Sequence, residues 1–442
     1  MNDNASVTNN AKSKLTESPK KFLFVSPESL NGDLAWQVLK EGNEVKVFFD
    51  REQDADVYDG LLEKVKNWKD HIDWADIIVF DDIGYGKEAE DLRSKGKAIV
   101  GGSQYTDKLE EDREFGQNEM KRVGLSILPH WDFGNFNEAI QFIKDNPGRY
   151  VFKPSGFMMS DQKVLFMAQE DDGKDLIEIL EQNKKEWAKK IKKFQLQKMA
   201  VGVEIGVGAF FNGNDFIYPV NINFEHKKLF PGDIGPYTGE MGTLMYWSPP
   251  NEIFKNTLLK MKDALAESKY VGYIDINCIA NARGIYPLEF TSRFGYPTIS
   301  IQCEGILSSR GEFLYDIATG KNAELKVKKG FQVGVVVVVP PFPFEDPSET
   351  ALHKDLSILF KKPNLDGIHL GDVKKTNGTF SIAGDSGYVL VVTGSGITVD
   401  GARRQAYSRV NNIILQNMYY RTDIGEKWLY ESDKLQMWGY LY

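Results

Sequence analysis

The chain has 442 residues, of which 42% are hydrophobic and 26% charged, the values of a globular protein able to bury a large core. Its 54 Lys and Arg against 63 Asp and Glu leave a net charge of −9. That excludes bulk nucleic acid or an anionic membrane as a partner, though not a local basic pocket for a nucleotide. Two cysteines, Cys278 and Cys303, exclude a disulfide framework, and five scattered histidines show no metal-ligand spacing. The polar Asn/Ser/Thr/Lys-rich residues 1–20 read as a disordered tail without the apolar segment of a secretory signal. The longest apolar run, Val333 to Pro341, is about half of a membrane span, so a reducing cytoplasm is the expected address.

In chain order, Lys21 to Ser26 is predicted as a buried strand and is followed by a helix carrying Leu34, Ala35, Val38 and Leu39 on one face. Strands at Glu44–Phe49, Ile77–Phe80 and Ala98–Val100 follow at βα spacing, giving a parallel α/β unit over 21–108. A helix at 112–123, residues Ile127 to Trp131, a helix near 137–145 and strand Tyr150–Lys153 come next. Residues 163–167, a charged helix at 173–191 and strand Phe194–Met199 complete that stretch. Antiparallel strands are expected over 203–224 with a turn at Asn212 and Gly213, then a Gly/Pro-rich loop over 231–250 and a helix over 252–268. A strand pair, 273–280 and 285–290, turns at Asn281 to Gly284. Residues 331–340, 388–393 and helix 399–416 make a terminal α+β unit.

Chemistry concentrates in that strand pair. Asp275 and Asn277 are two apart and share a face, and Glu289, Thr291 and Arg293 repeat the spacing on or just past the partner strand. Hard oxygens and one guanidinium then meet in a single cleft, which suits Mg²⁺ with phosphates and an acyl phosphate. A half-exposed hairpin with alternating polar residues has the same pattern. Lys153, ending an apolar strand, has the reach to hold nucleotide phosphates as a point charge. The loop Gly232 to Gly242 holds four glycines and a proline, which lets backbone N–H groups approach an anion. The strand ending in Gln197, Lys198 and Met199 offers backbone to an adenine, with Glu204 on the ribose.

These pieces, in this order, resemble the ATP-grasp superfamily and within it the glycinamide ribonucleotide synthetase family, over about residues 21–428. Glu225-His-Lys-Lys228 and Asp233-Ile-Gly-Pro-Tyr-Thr-Gly-Glu-Met-Gly242 are similar to the family's Asp-His-Lys-Arg segment and its Gly-Pro-Asn-Thr-Gly-Gly-Met-Gly loop. Pro287-Leu-Glu-Phe-Thr-Ser-Arg-Phe-Gly-Tyr-Pro297 is similar to its Glu-Phe-Asn-x-Arg-Phe-Gly-Asp-Pro, and Arg421-Thr-Asp-Ile-Gly425 echoes its C-terminal unit. The resemblance implies an α/β and α+β architecture. Its parts would be an N-terminal parallel domain (21–108), an ATP-grasp domain (109–325) with a mobile lid near 126–200, and a C-terminal α+β domain (326–442). It implies ATP with Mg²⁺ (or Mn²⁺), metal ligands Asp275, Glu289, Asn277 and Thr291, and catalytic Arg293 and Lys153. Nucleotide contacts would come from Lys153, Lys163, Gln197, Lys198, Met199 and Glu204. Substrate contacts would come from His226, Lys227, Asp233, Gly235, Pro236, Thr238, Gly239, Met241 and Gly242.

The departures fall on the substrate and phosphate side. The family's Gly-Gly-Arg-Glu-His-Ala loop is Ser29-Leu-Asn-Gly-Asp-Leu34, without its Arg and His. A family lysine falls on Gln117, the Gly-Lys-Gly lid is Ser160-Asp-Gln-Lys163, a metal-binding Asn is Thr291, and loop residues Asn and Gly become Tyr237 and Glu240. The resemblance implies a monomeric or homodimeric ligase of purine biosynthesis. It would join an amino-acid carboxylate, glycine, to a phosphoribosylamine-like amine through an acyl phosphate, releasing ADP and phosphate. The alternatives are a ligase using a different nucleotide or metabolite amine, and a nucleotide-binding module without turnover.

Overall fold

The computed structural model describes residues 18–154, 165–321 and 323–441. At the N-terminus five parallel strands lie in the order Glu63–Lys64, Glu44–Phe49, Lys21–Ser26, Ile77–Phe80, Ala98–Val100. The strand Lys21–Ser26 is apolar from Phe22 to Val25 because both faces are covered there: Phe22 and Phe24 join the main core, and Leu23 and Val25 a second cluster with Ile78 and Phe80. The strands end at Ser26, Phe49 and Phe80, and Asp81, just past the last of these, meets the body of the protein. There the Ser26 hydroxyl donates to Asp81 at 2.8 Å and the Tyr296 hydroxyl to the same carboxylate at 2.9 Å.

Helices Gln104–Glu111 and Arg113–Arg122 lead out of this unit. The described residues between 130 and 198 then form a small separate layer, a four-stranded sheet ordered His130–Phe133, Phe194–Lys198, Tyr150–Pro154, Phe166–Met167. Helices Phe136–Asp145 and Lys174–Lys190 cover one face, over a core of its own that includes Phe136, Phe152, Leu180 and Phe194. The opposite face, bearing Lys153, Gln195 and Gln197, is left for the body of the protein.

The body is an eight-stranded sheet ordered Gly284–Thr291, Val271–Asn281, Val203–Asn212, Phe216–Glu225, Gly242–Ser248, Phe331–Val338, Tyr388–Gly396, Ile368–Leu370. Every pairing in it is antiparallel. The Asn212–Gly213 turn forms as expected, with Gly213 at φ +89° and the Asn212 amide oxygen accepting from the backbone of Asn214 and Asp215. The C-terminal α+β unit joins through the sheet itself, since Phe331–Val338 pairs with Gly242–Ser248. Helix Thr298–Gly305 is buried along its whole length on the face that also carries Asp275 and Asn277.

Three predicted elements differ. The expected loop over 231–250 contains two strands, Ile234–Tyr237 and Gly242–Ser248, because Thr243, Leu244 and Met245 are buried in the sheet despite flanking glycines and prolines. The expected helix over 252–268 is broken at Thr257 (φ −127°, ψ −95°), whose side chain turns back to accept no cap and instead donates to the Ile253 carbonyl at 2.5 Å. The expected helix over 399–416 ends at Val410, and Ile413–Ile414 pairs with Ser357–Phe360.

Candidate active site

The strand pair supplies its polar residues in register. Asp275 lies opposite Thr291 and Asn277 opposite Glu289, so two cross-strand pairs project from one face of the sheet. The next strand places Gly208 beside Asp275 and Gly206 beside Asn277, and carries Glu204 two residues further along that face. Beyond it the strand Phe216–Glu225 ends in Glu225, whose carboxylate accepts from the Asn277 amide at 3.3 Å.

One ammonium gathers this acid. Lys227 Nζ lies 3.2 Å from Glu204, 3.4 Å from Glu225 and 3.7 Å from Glu289. Burial pulls Lys227 down, but the three carboxylates outweigh it and hold the ammonium charged. Burial also pushes Glu289 up, yet Lys227, Lys153 and Arg113 together bring its carboxyl below the usual range. Glu225 goes the other way: burial, with Glu204 and Glu289 nearby, raises it in spite of Lys227. Asp275 is raised well above an ordinary carboxylate by burial and by the charges of Glu225 and Glu110.

From the small layer, Lys153 faces this cluster. Burial, with Arg113 and Lys227 adding like charge, brings its ammonium down to about 7. Arg113 was not singled out from sequence. It lies one helical turn before Gln117, on the same helix face, where the family's lysine was missing, and that i,i+4 spacing was the available signal. It shares the surroundings of Glu289 and Asp132 and so bridges body and layer. Gln117 itself makes a reciprocal pair with Gln195, at 2.8 and 2.9 Å, tying the helix to the layer's inner face.

The other predicted residues are distributed around this centre. Gln197 is buried on the inner face, whereas Lys198 turns away to lie 4.8 Å above the Tyr150 ring. Met199 continues the chain toward the body and donates its N–H to Arg149. Lys163 lies outside the described residues. Arg293 is held by two carboxylates, its Nε 2.8 Å from Asp82 and 3.0 Å from Glu110, which keep its guanidinium firmly charged. His226 is buried just before the hairpin Lys228–Phe230/Ile234–Tyr237, and burial with Lys427 and Arg421 nearby takes it down to about 3, so the ring is neutral.

Asp233 lies apart from the carboxylate cluster, bonded to Arg421 at 2.9 Å and near Lys427 at 3.5 Å. Gly235 and Pro236 are in the exposed strand of that hairpin and Gly239 is open. Thr238 donates its hydroxyl to the Lys227 carbonyl, and Met241 its N–H to the His226 carbonyl, so both brace the segment bearing Lys227. Gly242 is closely packed, since a Cβ there would meet the Gly334 carbonyl at 2.4 Å. The altered loop at residues 29–34 is tied to the C-terminal unit, where Asp33 meets the His369 ring at 2.7 Å. Among the described residues no helix is long and apolar enough to cross a membrane.

Comparison with known proteins bears on this arrangement. Residues 111–299 match the model of the phosphoribosylglycinamide synthetase ATP-grasp (A) domain, and residues 332–427 that of the C domain of the same synthetase. The chain belongs to the phosphoribosylglycinamide synthetase family of ATP-grasp proteins. A phosphoribosylamine–glycine ligase of Streptococcus pneumoniae is 24% identical over 427 residues, 92% of this chain and 99% of that one. The crystal structure of a phosphoribosylamine–glycine ligase from Thermotoga maritima superposes with a TM-score of 0.69 at 21% identity, covering 92% of this chain and all of the other. The biotin carboxylase domain of the Hydrogenobacter thermophilus 2-oxoglutarate carboxylase, solved with MgADP and bicarbonate, has a TM-score of 0.63 at 14% identity over 96% of both chains.

Proposed function

We propose that the protein is an ATP-dependent carboxylate–amine ligase that joins glycine to a phosphoribosylamine-like amine, with ADP and phosphate as the other products. The observation that carries this reading is the charge arrangement around Glu289. Three cations from separate parts of the chain, Lys153, Lys227 and Arg113, converge on one carboxylate beside two cross-strand oxygen pairs. Such a constellation receives a polyanion and a divalent cation together.

The donor set suits Mg²⁺. Glu289 and Asp275 supply carboxylates, Asn277 an amide and Thr291 a hydroxyl. Among the described residues no three His, Cys, Asp or Glu form a ready-made cage. Mg²⁺ commonly takes one or two carboxylates and completes its shell with phosphate oxygens and water. When bound, it neutralises charge on the β- and γ-phosphates.

The chain's own residues do the rest. Lys153 and Arg113 hold the phosphates from the layer side and Lys227 from the body side. Adenine lies along Gln197 to Met199, and Glu204 accepts from the ribose. A substrate carboxylate oxygen attacks the γ-phosphorus, ADP leaves, and the amine nitrogen attacks the acyl carbon to release phosphate. Arg293, locked by Asp82 and Glu110, stabilises the charge that grows on the acyl phosphate and needs no reorganisation to do so.

The test is ADP release by the purified protein with ATP, Mg²⁺, glycine and phosphoribosylamine generated in the assay. ADP that depends on both glycine and the amine supports the reading. Nucleotide binding without amine-dependent ADP contradicts it.

A further inference from the structure

The lysine that gathers the acids lies between two sheets. Strand Phe216–Glu225 ends before strand Lys228–Phe230 begins in a different sheet, and His226 and Lys227 connect them. Lys227 nevertheless keeps its ammonium among the carboxylates of Glu204, Glu225 and Glu289, which come from three strands. A point charge on a flexible four-carbon stem keeps one place only if the backbone beneath it is fixed.

The C-terminal unit supplies that hold. Arg421 is 1% exposed, and its Nη1 donates to the Lys228 carbonyl and to Asp233, both at 2.9 Å. Its Nε and Nη2 donate to the two carboxylate oxygens of Asp423, at 2.8 and 2.6 Å. Asp423 in turn accepts the Gly232 N–H at 2.9 Å, and Lys427 Nζ donates to the Glu225 carbonyl at 3.1 Å. Residues 421–427 thus grip the stretch 225–233 at both ends, with Lys227 inside it. Charge balances within the group, Arg421 and Lys427 against Asp233 and Asp423.

Stability alone is a poor reason to keep such a network, because a buried ion-pair group gains little over apolar side chains of the same volume. Asp233 also stands at φ +55°, a left-handed conformation that a side chain resists, in the turn of the hairpin. A backbone outlier held in place by a fixed network points to function.

We propose that Arg421 is a positioning residue for the nucleotide phosphates: through the Lys228 carbonyl and Asp233 it sets where the Lys227 ammonium stands. This rests on the ligase reading, in which Lys227 holds the phosphates from the body side. Asp233 then serves Lys227 rather than a substrate, and the C-terminal unit takes part in holding ATP although it touches none of it.

Calorimetry on the full chain compares MgATP with adenosine, which has no phosphate for Lys227 to meet. Arg421→Lys keeps the charge but cannot span Asp423, Asp233 and the Lys228 carbonyl together. It is expected to weaken MgATP about tenfold and to leave adenosine within about twofold. In a Lys227→Met background, at pH 6 where protonation of Glu225 eases the loss of the ammonium, Arg421→Lys should cost no further affinity for MgATP. Asp233→Asn keeps the shape and an acceptor for Nη1, and should show the same pattern at about threefold.

Equal weakening of MgATP and adenosine overturns the proposal, because the network then serves the fold. An Arg421→Lys effect that persists in full without Lys227 overturns it too, as does an unchanged affinity for MgATP or a parent that binds MgATP no more tightly than adenosine. If a variant of Arg421 does not fold, Asp233→Asn, alone and with Lys227→Met, decides by the same contrast. The ligase reading fails separately, on amine-dependent ADP: a chain that shows the affinity pattern and never releases ADP upholds the role of Arg421 and loses the reaction.

Discussion

Replacing Lys227 with Met keeps the packed stem and removes the one charge that three carboxylates share. At an effective dielectric of about 20, each contact of 3.2 to 3.7 Å is worth about 5 kcal/mol before desolvation. That figure does not survive for all three. The Glu204 and Glu289 side chains are 38% and 54% exposed, and solvent screening leaves about 0.5 kcal/mol for each. The Glu225 side chain is only 11% exposed, and losing the partner of a buried charge costs about 3–5 kcal/mol.

Protonation sets the ceiling. An unfolded Glu has a pKa of about 4.3, so protonating Glu225 at pH 7 costs about 3.7 kcal/mol, and the folded variant takes that route when ionisation costs more. Glu225 is already raised in the parent, and losing Lys227 raises it further. A carboxyl raised on folding is unfavourable above its unfolded pKa and neutral in effect below it. The deficit of Lys227→Met should therefore be about 3–4 kcal/mol at pH 7, shrink by about 1.4 kcal/mol per pH unit on acidification, and fall to about 1 kcal/mol near pH 5. Urea unfolding followed by tryptophan fluorescence at pH 5, 6 and 7 measures it. A loss of the same size at all three values would mean that packing, not charge, was removed, and would refute the reasoning.

Glu289→Gln should abolish Mg²⁺-dependent ADP formation while circular dichroism shows the fold intact, because the change is isosteric and removes only the charge. Arg293→Lys cannot keep both Asp82 and Glu110 in one fixed geometry, and steady-state kinetics should show turnover falling more than ATP affinity. Glu204→Ala should weaken ATP by about 1 kcal/mol by calorimetry, the low end for a charged hydrogen bond at a group this exposed. Lys153, brought down to about 7, loses its proton as pH rises from 7 to 9, so the ATP dissociation constant should climb over that range in the parent and stay flat in Lys153→Arg.

The hairpin chemistry was legible because it is local. Asp275, Asn277, Glu289 and Thr291 alternate along two strands joined by a four-residue turn, and the pleat alone puts them on one face. The parallel unit was legible for a similar reason, since strands covered on both faces write continuous apolar runs. Lys227 was flagged as a substrate contact, but its three carboxylates come from positions 204, 225 and 289, and no spacing rule connects them. The strand Gly242–Ser248 was hidden by the composition of its neighbours, although Thr243-Leu-Met-Tyr-Trp247 is strand-forming by itself. Asn221, Asn223 and Glu225 form a period-two polar stripe inside an otherwise apolar strand, a visible signal whose meaning depends on which elements cover it.

The substitutions that set this chain apart and the groups that replace them follow one electrostatic logic. The lysine absent at Gln117 is answered one turn earlier by Arg113, and the amide left behind closes a pair with Gln195 that fixes the layer against the helix. Cationic charge beside Glu289 is thereby kept while its attachment changes. On the substrate side the opposite has happened: Asp33 takes up His369, and Glu240 adds buried acid to Glu225. On the function proposed above, a centre that keeps cations for phosphates while gaining acid near the other substrates would hold ATP and choose its partners differently. A chain drifting without function has no reason to separate the two, because random loss of charge would fall on Lys153, Lys227 and Arg293 as readily as on residues 29–34.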